Sequence, residues 1–395
     1  MVTRTAPAPG TTFDREGLLS LAAGHFVVDM LVGALPALLP LFVREYRLSD
    51  LAASMILGAS LLASSAIQPV FGIIADRRAA PWLLYGGVGL GSVAMAVSGT
   101  ASGYAILLAM IVVSGLGIAA YHPEAARVAN RLSGGRPATG LAWFMVGGNA
   151  GFAAGPLVAA AAIPFLGTRA TLVFIVPGVL VTAWLVSRRE LVSAPVVHPR
   201  HAATAGQSHV PGVTLLVVIT SMRTWSQFVL LTLAPLLLVS EHGLSDQQAG
   251  LAVFALSFAG AVGTIWGART ADAIGGKRML MWTMPVGAPL IFGVATLPVA
   301  PALVCLTLSG LVLQSSFSVT VAMGQEYLPT RLALAAGLLI GFGAIGSAPP
   351  GLALFGALAD AAGRETALMT LSALPIIGGA LAIWLPAPRV EGHSA

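Results

Sequence analysis

The sequence predicts an all-α membrane protein with twelve transmembrane helices in two six-helix halves. Its 395 residues are 57% hydrophobic and only 9% charged, with a mean hydropathy of +0.89, which is too apolar for the surface of a soluble domain. Apolar runs of about 20 residues, enough for a helix to cross a bilayer, recur along the whole chain. A polar segment, 188–212, separates six of these runs from the other six.

Each predicted span is an apolar run bounded by polar, glycine or proline residues. The first run is too long, and too polar in its middle, for a cleaved signal peptide, so we expect it to stay in the mature protein. The spans, in chain order, are Gly17–Val43, Leu51–Ala75, Pro81–Ser98, Tyr104–Tyr121, Thr139–Phe165, Ala170–Ser187, Val213–Val239, Gln247–Thr270, Met279–Leu297, Ala302–Met323, Ala333–Leu358 and Thr366–Leu385.

Lysine and arginine predict the orientation, because they concentrate in cytoplasmic loops. If both termini are cytoplasmic, 15 of the 20 basic residues lie on the inside. The predicted organisation is a cytoplasmic tail (1–16), an N-terminal six-helix bundle (17–187), a cytoplasmic linker (188–212), a C-terminal six-helix bundle (213–386) and a second cytoplasmic tail (387–395).

Composition also excludes several classes of function. The net charge of +5 and the pI near 10.0 come from basic residues spread between apolar runs, so they do not indicate nucleic-acid binding. The single cysteine, Cys305, allows neither a disulfide framework nor a thiolate metal cluster. There is no nucleotide-binding loop and no nucleophile paired with a base, so we expect no cofactor, no metal and no enzyme activity.

Three acidic residues stand apart from those in the loops and tails: Asp29 lies within the first predicted span, and Glu124 and Glu326 lie three residues past the ends of the fourth and tenth. Ionisable groups in a membrane often carry protons or substrate, so all three are candidates for proton coupling. Asp29 lies deepest, one helical turn after His25, and both side chains project from one helix face. The alternative is a permanent structural pair of Asp29 with His25 or with Arg223.

Glu124 follows Pro123, and this admits two interpretations. Proline favours the first turn of a helix, where an acid is stabilised, so the sequence could restart a helix there, with Arg127 as the partner of Glu124. A helix broken inside the membrane would instead expose backbone groups that need water or ligand, which favours proton or substrate handling. His122 could titrate between pH 5 and 8 or could cap the break.

Arg223 is the one lysine or arginine that lies away from the ends of the predicted spans, and its planar fork suits phosphonate or carboxylate oxygens. The alternative is a charge pair with Asp29. For Glu326, a salt bridge with Arg331 is an equal alternative to proton coupling, and Asn149 could bind a ligand or only a neighbouring helix. The substrate-binding candidates are Arg223, Arg127, Tyr121 and Asn149.

Two further patterns predict conformational roles. Glycines spaced four apart form one ridge of the fifth span and indicate close packing against another helix of the first half. A glycine, an aspartate and basic residues recur after the second and the eighth span, where we expect gate contacts. The residues concerned are Gly147, Gly151, Gly155 and Pro156 in the ridge, and Gly72, Asp76, Arg77, Gly267, Asp272, Lys277 and Arg278 in the two gates.

These motifs resemble the major facilitator superfamily over the whole chain, and within it the fosmidomycin resistance family. The resemblance rests on the two gate motifs and on further groups of residues, namely His25 with Asp29, Gln68-Pro69-Val70-x-Gly72, Tyr121-His122-Pro123-Glu124 with Arg127-Val128, Ser133-Gly134-Gly135-Arg136, and Gly147-Gly148-Asn149-x-Gly151 ending in Gly155-Pro156. It implies the major facilitator fold and a proton-driven exporter in the bacterial cytoplasmic (inner) membrane.

The sequence therefore predicts a proton-coupled secondary transporter that works by alternating access. Export of a small anionic or amphiphilic drug is expected first, with proton-coupled uptake of a carboxylate or other nutrient as one alternative. The alternative from another class is a non-transporting membrane receptor or scaffold. The expected partners are a small-molecule substrate, protons and the lipid bilayer, and we expect a monomer.

Overall fold

The computed structural model of the chain describes residues 13–77, 80–134, 136–189, 208–329, 331, 334–335 and 337–386. Within these ranges the regular structure is helical and no strand occurs, which confirms the all-α prediction. The chain forms two compact units, one made of Met1–Arg47 with Ala59–Pro199 and the other of Leu48–Gly58 with Arg200–Ala395. Each unit is described below by itself.

The helices of the first unit begin at residue 15, and the first half of helix α2, Asp50–Gly58, is assigned to the second unit. They are α1 (Arg15–Tyr46), α2 (Asp50–Ala66), α3 (Gln68–Arg77), α4 (Trp82–Ser98), α5 (Tyr104–Leu132), α6 (Pro137–Leu166), a 3₁₀ segment (Gly167–Phe174) and α7 (Ile175–Ser187).

The helices of the second unit follow the linker, most of which, 190–207, lies outside the described residues. They are α8 (Val210–Ser240), α9 (Asp246–Ile274), α10 (Gly276–Thr296), α11 (Val299–Ser315), α12 (Phe317–Tyr327), a π-helix (Gly337–Gly346), α13 (Ala348–Ala362), α14 (Arg364–Leu371), α15 (Ala373–Leu381) and a final 3₁₀ turn (Ala382–Trp384).

Ten helical stretches of the described chain are long and apolar enough to cross a membrane. The stretch Thr139–Ser187 covers both the fifth and the sixth predicted spans, and Trp82–Ser98, which corresponds to the third, is apolar but shorter. Every predicted span thus coincides with helical structure, although the count of twelve remains a prediction. The predicted tails fall largely at 1–12 and 387–395, outside the described residues.

Helix α1 packs along α6 at the centre of the first unit. Asp14 caps α1 by accepting a hydrogen bond from the backbone N–H of Gly17 at 2.9 Å, which satisfies one of the free donors at a helix start. The predicted glycine ridge of α6 faces α1: a Cβ at Gly147, Gly151 or Gly155 would meet backbone atoms of α1. Glycine therefore lets the two backbones touch, as the spacing predicted.

Gly151→Ala should destabilise the protein, because the added methyl would press on the backbone carbonyl of Phe26, which cannot rotate away. Overpacking of this kind costs about 1–3 kcal/mol. Thermal unfolding in detergent measures the effect. Gly86→Ala is the matched control, since Gly86 lies in helix α4 and a methyl group added there would meet open space; equal unfolding temperatures of both variants and wild type would contradict close packing of α1 on α6.

Helix α5 corrects one prediction. The fourth span was expected to end at Tyr121, with a possible break at Pro123, but α5 runs without interruption from Tyr104 to Leu132 and contains Pro123 in its interior. Proline removes one backbone donor, and transmembrane helices tolerate this where side chains and neighbouring helices satisfy the freed groups. The carbonyl oxygen left without its usual donor is that of Ala119, four residues before Pro123. The ring of His122 bonds one position earlier, from Nδ1 to the carbonyl oxygen of Ile118 at 2.8 Å.

The start of helix α2 is fixed within the second unit. The carboxylate of Asp360 accepts hydrogen bonds from the backbone N–H groups of Asp50 and Leu51, at 2.6 and 3.1 Å. Arg364 in turn donates from Nε and from a terminal nitrogen to the Asp50 carboxylate, at 2.8 Å each. This network explains why Leu48–Gly58 belongs to the second unit.

Candidate functional site

In the first unit, helices α1 and α5 bring together His25, Asp29 and His122, which we call the His–Asp–His trio. The Nε2 atom of His25 lies 3.2 Å from one carboxylate oxygen of Asp29, and the Nε2 atom of His122 lies 3.3 Å from the other. The two imidazole rings meet edge to face, with centroids 5.0 Å apart. The side chain of His25 is buried, whereas those of Asp29 and His122 are 25% and 23% exposed, so the trio is open to small ions on one side.

Backbone carbonyls fix which nitrogen of each imidazole carries a proton. Nδ1 of His25 lies 2.9 Å from the carbonyl oxygen of Phe144, and Nδ1 of His122 lies 2.8 Å from that of Ile118. A carbonyl oxygen only accepts hydrogen bonds, so both Nδ1 atoms must donate. Each Nε2 therefore faces an Asp29 oxygen with a lone pair unless a further proton lies between them.

The trio can accordingly hold up to two protons in its two Nε2–oxygen contacts. With both contacts protonated the net charge of His25, Asp29 and His122 is +1, and it falls to 0 and then to −1 as the protons leave. Each loss turns an attractive contact into one between two lone pairs. The geometry thus makes the conformation of the site depend on the number of protons bound.

Neighbouring residues hold the trio in place. The ring of Phe144 stacks on His25 with centroids 4.1 Å apart, and Gly148 lets helix α6 lie directly against His25 and Asp29, since a Cβ there would collide with both side chains. The hydroxyl of Tyr121 donates to the carbonyl oxygen of Leu21, and its side chain is fully buried. Tyr121, predicted to bind substrate, therefore joins α5 to α1 beneath the trio in this conformation.

Glu124 and Arg127 form a separate pair on α5. The Arg127 guanidinium donates to both carboxylate oxygens of Glu124, at 2.6 and 2.8 Å, and the backbone N–H of Ala80 donates to one of them at 3.2 Å. The Glu124 side chain is 0% exposed and that of Arg127 is 16% exposed. The structure therefore contains the Glu124–Arg127 pair, which was one of the two interpretations of the sequence. In this conformation the two predicted residues bind each other.

The second unit buries Arg223 without an acidic partner. Its guanidinium donates to the side-chain oxygen of Gln314 at 2.5 Å and to the hydroxyl of Thr224 at 3.1 Å, and lies 5.5 Å from the ring centroid of Phe317. Among the residues that the structure describes, no carboxylate lies within 4.0 Å of Arg223, and its Nε has no hydrogen-bond partner. A buried cation held only by neutral groups is a favourable place for an anion.

Three other predicted residues of the second unit line one cavity of about 290 Å³. Asp272, Lys277 and Glu326 all border it, together with Gly276 and Tyr327. The Lys277 ammonium donates to the carbonyl oxygen of Leu385 at 2.6 Å, which ties the start of α10 to the end of the last 3₁₀ turn. The described residues contain no ion pair between Glu326 and Arg331 within 4.0 Å, so the alternative of a salt bridge is not found in this conformation.

The remaining predicted residues are exposed or lie where helices pack together. Asn149, Arg77 and Arg278 are exposed. A Cβ at Gly267 would collide with the backbone of Ser315, so this glycine packs α9 against α11, whereas one at Gly72 would only touch Pro123. Asp76 lies outside the described side chains.

Sequence reasoning missed several residues of these sites. Phe144 was not among the predicted site residues, although its carbonyl oxygen orients His25, and neither Gln314 nor Phe317 was considered as a neighbour of Arg223. No local pattern links Gln314 to Arg223, because the contact joins α8 to α11. The sequence did contain one signal of a polar site around Arg223, namely the polar residues at helical spacing from it on α8.

The trio is also the group of described residues whose donor atoms could hold a metal ion, all lying within 4.8 Å of one another. Two imidazole nitrogens and one carboxylate form a donor set that divalent transition metals accept. Such an ion would occupy the same Nε2 and carboxylate atoms that can hold protons, and it would compete with protons for them.

Comparison with known proteins gives consistent results over the whole chain. The family model of the Major Facilitator Superfamily matches residues 21–348 and 216–395. The chain is 32% identical to the fosmidomycin resistance protein of Escherichia coli (strain K12), over 96% of this chain and 94% of that protein. It is 30% identical to the uncharacterized MFS-type transporter YfnC of Bacillus subtilis (strain 168), over 99% and 98% of the two chains.

Solved structures agree on the fold. A bacterial homologue of the human lysosomal transporter Spinster, in an inward-facing and occupied conformation, superposes with a TM-score of 0.76 at 14% identity, over 96% of this chain and 97% of that one. The nucleoside transporter NupG gives a TM-score of 0.72 at 13% identity, over 94% and 99%. The resemblance seen in the motifs and the expectation that the protein is not an enzyme are both confirmed, and the chain belongs to the major facilitator superfamily of multi-pass membrane transporters.

Proposed function

We propose that this transporter is a proton-coupled antiporter that exports small anionic or amphiphilic drugs by alternating access. The observation that carries the proposal is the His–Asp–His trio, in which both Nδ1 atoms are held by carbonyl oxygens and both Nε2 atoms face Asp29. Its partly open position supports exchange of protons with solvent. Similarity to a fosmidomycin resistance protein supports drug export.

In the proposed mechanism, protons and cargo bind to separate charged groups and favour different states of the protein. Protons bind at His25, Asp29 and His122, and the anionic part of the cargo binds at Arg223. A proton gradient can drive export only if protonation of the trio and occupation of the Arg223 site favour different orientations. Glu124 and Arg127 form a pair in the described conformation, so we propose that they have a secondary role in proton and substrate handling.

The place in the cell follows from the same reasoning. We infer a bacterial cytoplasmic membrane with both termini on the inside, supported by the bias of lysine and arginine and by the bacterial relatives. Asp76, Arg77, Asp272, Lys277 and Arg278 are proposed as gate residues on the cytoplasmic side. A monomer suffices for this mechanism, because each chain carries both the trio and Arg223.

Flux into proteoliposomes under an imposed pH gradient tests the proposal. The panel contains fosmidomycin, other anionic drugs, neutral amphiphiles and simple carboxylates. We expect anionic drugs to move against the proton flux. Movement of a carboxylate nutrient with the protons would replace export by uptake, and transport that ignores the pH gradient would reject proton coupling.

A further inference from the structure

On helix α8, three polar side chains form a stripe in which each has an unused hydrogen-bonding atom. Thr220, Arg223 and Gln227 lie three and four residues apart, so they share one helix face. They are 1%, 3% and 4% exposed. The Thr220 hydroxyl, the Arg223 Nε and the Gln227 side-chain oxygen have no hydrogen-bond partner among the described residues.

Such a stripe is unusual, because buried polar groups are nearly always hydrogen-bonded and each unpaired one costs about 1–3 kcal/mol. Other hydroxyls of α8 follow the usual rule: Ser221 and Ser226 donate to carbonyl oxygens of their own helix at 2.8 and 2.9 Å. The three unused atoms therefore do not reflect a general lack of partners along α8. They are confined to the face that carries the buried cation.

Neighbouring elements complete the site. Gln314 fixes one terminal nitrogen of Arg223 at 2.5 Å, which holds the guanidinium in one orientation. Gly343 of the π-helix packs near Thr220, and π-helical turns recur at functional sites. A further buried hydroxyl without a described partner, that of Ser257, lies on α9, which packs against α8.

We propose that Thr220, Arg223 and Gln227 bind one elongated ligand, a small oxyanion whose other end carries a hydroxyl or N–H group. The anion accepts from Nε of Arg223, and the hydroxyl or N–H donates to the side-chain oxygen of Gln227. Arg223 and Gln227 lie four residues apart, and four residues of α-helix rise about 6 Å, so the ligand has an anionic centre and a polar end separated by a short chain. The inference rests on the proposed transport function and adds the residues that select its cargo.

Binding of two simple probes to the purified protein in detergent tests the inference. They are 3-hydroxypropylphosphonate and propylphosphonate, which differ only in the terminal hydroxyl. One net hydrogen bond contributes about 0.5–1.5 kcal/mol, so wild type should bind the hydroxylated probe up to about tenfold more tightly. Gln227→Leu should remove this preference and leave the affinity for propylphosphonate unchanged, whereas Arg223→Gln should weaken both probes.

Ser221→Ala is the matched control, because its hydroxyl is already bound within α8. It should keep both affinities, and Thr220→Val, which preserves shape, should weaken the hydroxylated probe or both probes. Equal affinity of wild type for the two probes, an unchanged preference in Gln227→Leu, or no binding of either probe at millimolar concentration would overturn the inference. Because binding is measured without a pH gradient, a failure of proton coupling leaves this result intact.

Discussion

Asp29→Asn should abolish accumulation driven by a pH gradient while leaving substrate exchange across the membrane. The asparagine amide keeps the size of the carboxylate but neither carries its negative charge nor takes up a proton in this pH range. A gradient of one pH unit is worth about 1.4 kcal/mol per proton, so wild type should accumulate cargo up to about tenfold for each coupled proton. The variant should reach a ratio of about one, measured with labelled substrate in proteoliposomes.

Histidine variants provide the control. His122→Gln removes one of the two Nε2 contacts with Asp29 and should also lower gradient-driven accumulation. His242→Gln changes a histidine between α8 and α9, outside the trio, and should behave like wild type. Asp29→Asn protein that accumulates substrate as wild type does would show that the proton is carried elsewhere.

The second large effect concerns Arg127, whose loss should strongly destabilise the first unit. Arg127→Ala would remove both guanidinium hydrogen bonds to the carboxylate of Glu124, which is 0% exposed, and of the hydrogen bonds described for that carboxylate it would leave the one from the backbone N–H of Ala80. Removing one partner of a buried ion pair costs about 3–5 kcal/mol. Thermal unfolding of the purified protein in detergent measures the loss.

A double variant separates loss of charge balance from loss of packing. Glu124→Gln with Arg127→Met keeps an acceptor for Ala80 and a side chain of similar length, so its unfolding temperature should lie close to that of wild type. Failure of this stable protein to transport would give the pair a role in function beyond stability. An Arg127→Ala protein as stable as wild type would contradict the buried pair.

The predictable part of the proton site is the part that depends on local geometry. His25 and Asp29 are four residues apart on one helix, so their contact follows from helical spacing alone, and the structure places them 3.2 Å apart. His122 was selected for its chemistry, but its contact with Asp29 joins two helices and depends on how α5 packs against α1. The roles of the carbonyl oxygens of Phe144 and Ile118 have no signal in residue types, because every residue has a carbonyl.

Pro123 shows how a local rule fails inside a membrane protein. In water, proline within a helix favours an end or a break, and the sequence was interpreted on that basis. In α5 the helix continues across Pro123, because it packs against neighbouring helices of the first unit. Tertiary packing here outweighs the preference of one residue.

For the Arg223 site, the sequence predicted a positive charge within a span but not the residues that surround it. An arginine within an apolar span indicates an anion or a buried pair, and the structure describes no acidic partner near it. Its contact with Gln314 joins distant segments and could not be read from spacing. Thr220 and Gln227, by contrast, lie at helical spacing from Arg223 in the sequence, so the stripe could have been identified before the structure.

The most direct test of the account is a count of the protons released when cargo binds. Calorimetric titration of the protein with a transported anion, in buffers of different ionisation enthalpy near pH 6.5, gives this number. The account predicts net release of about one proton by wild type and close to none by Asp29→Asn protein, since Asp29 is needed to hold the protons between the two histidines. Equal proton release by both proteins, or none by wild type, would contradict coupling between cargo binding and the protons of the His–Asp–His trio.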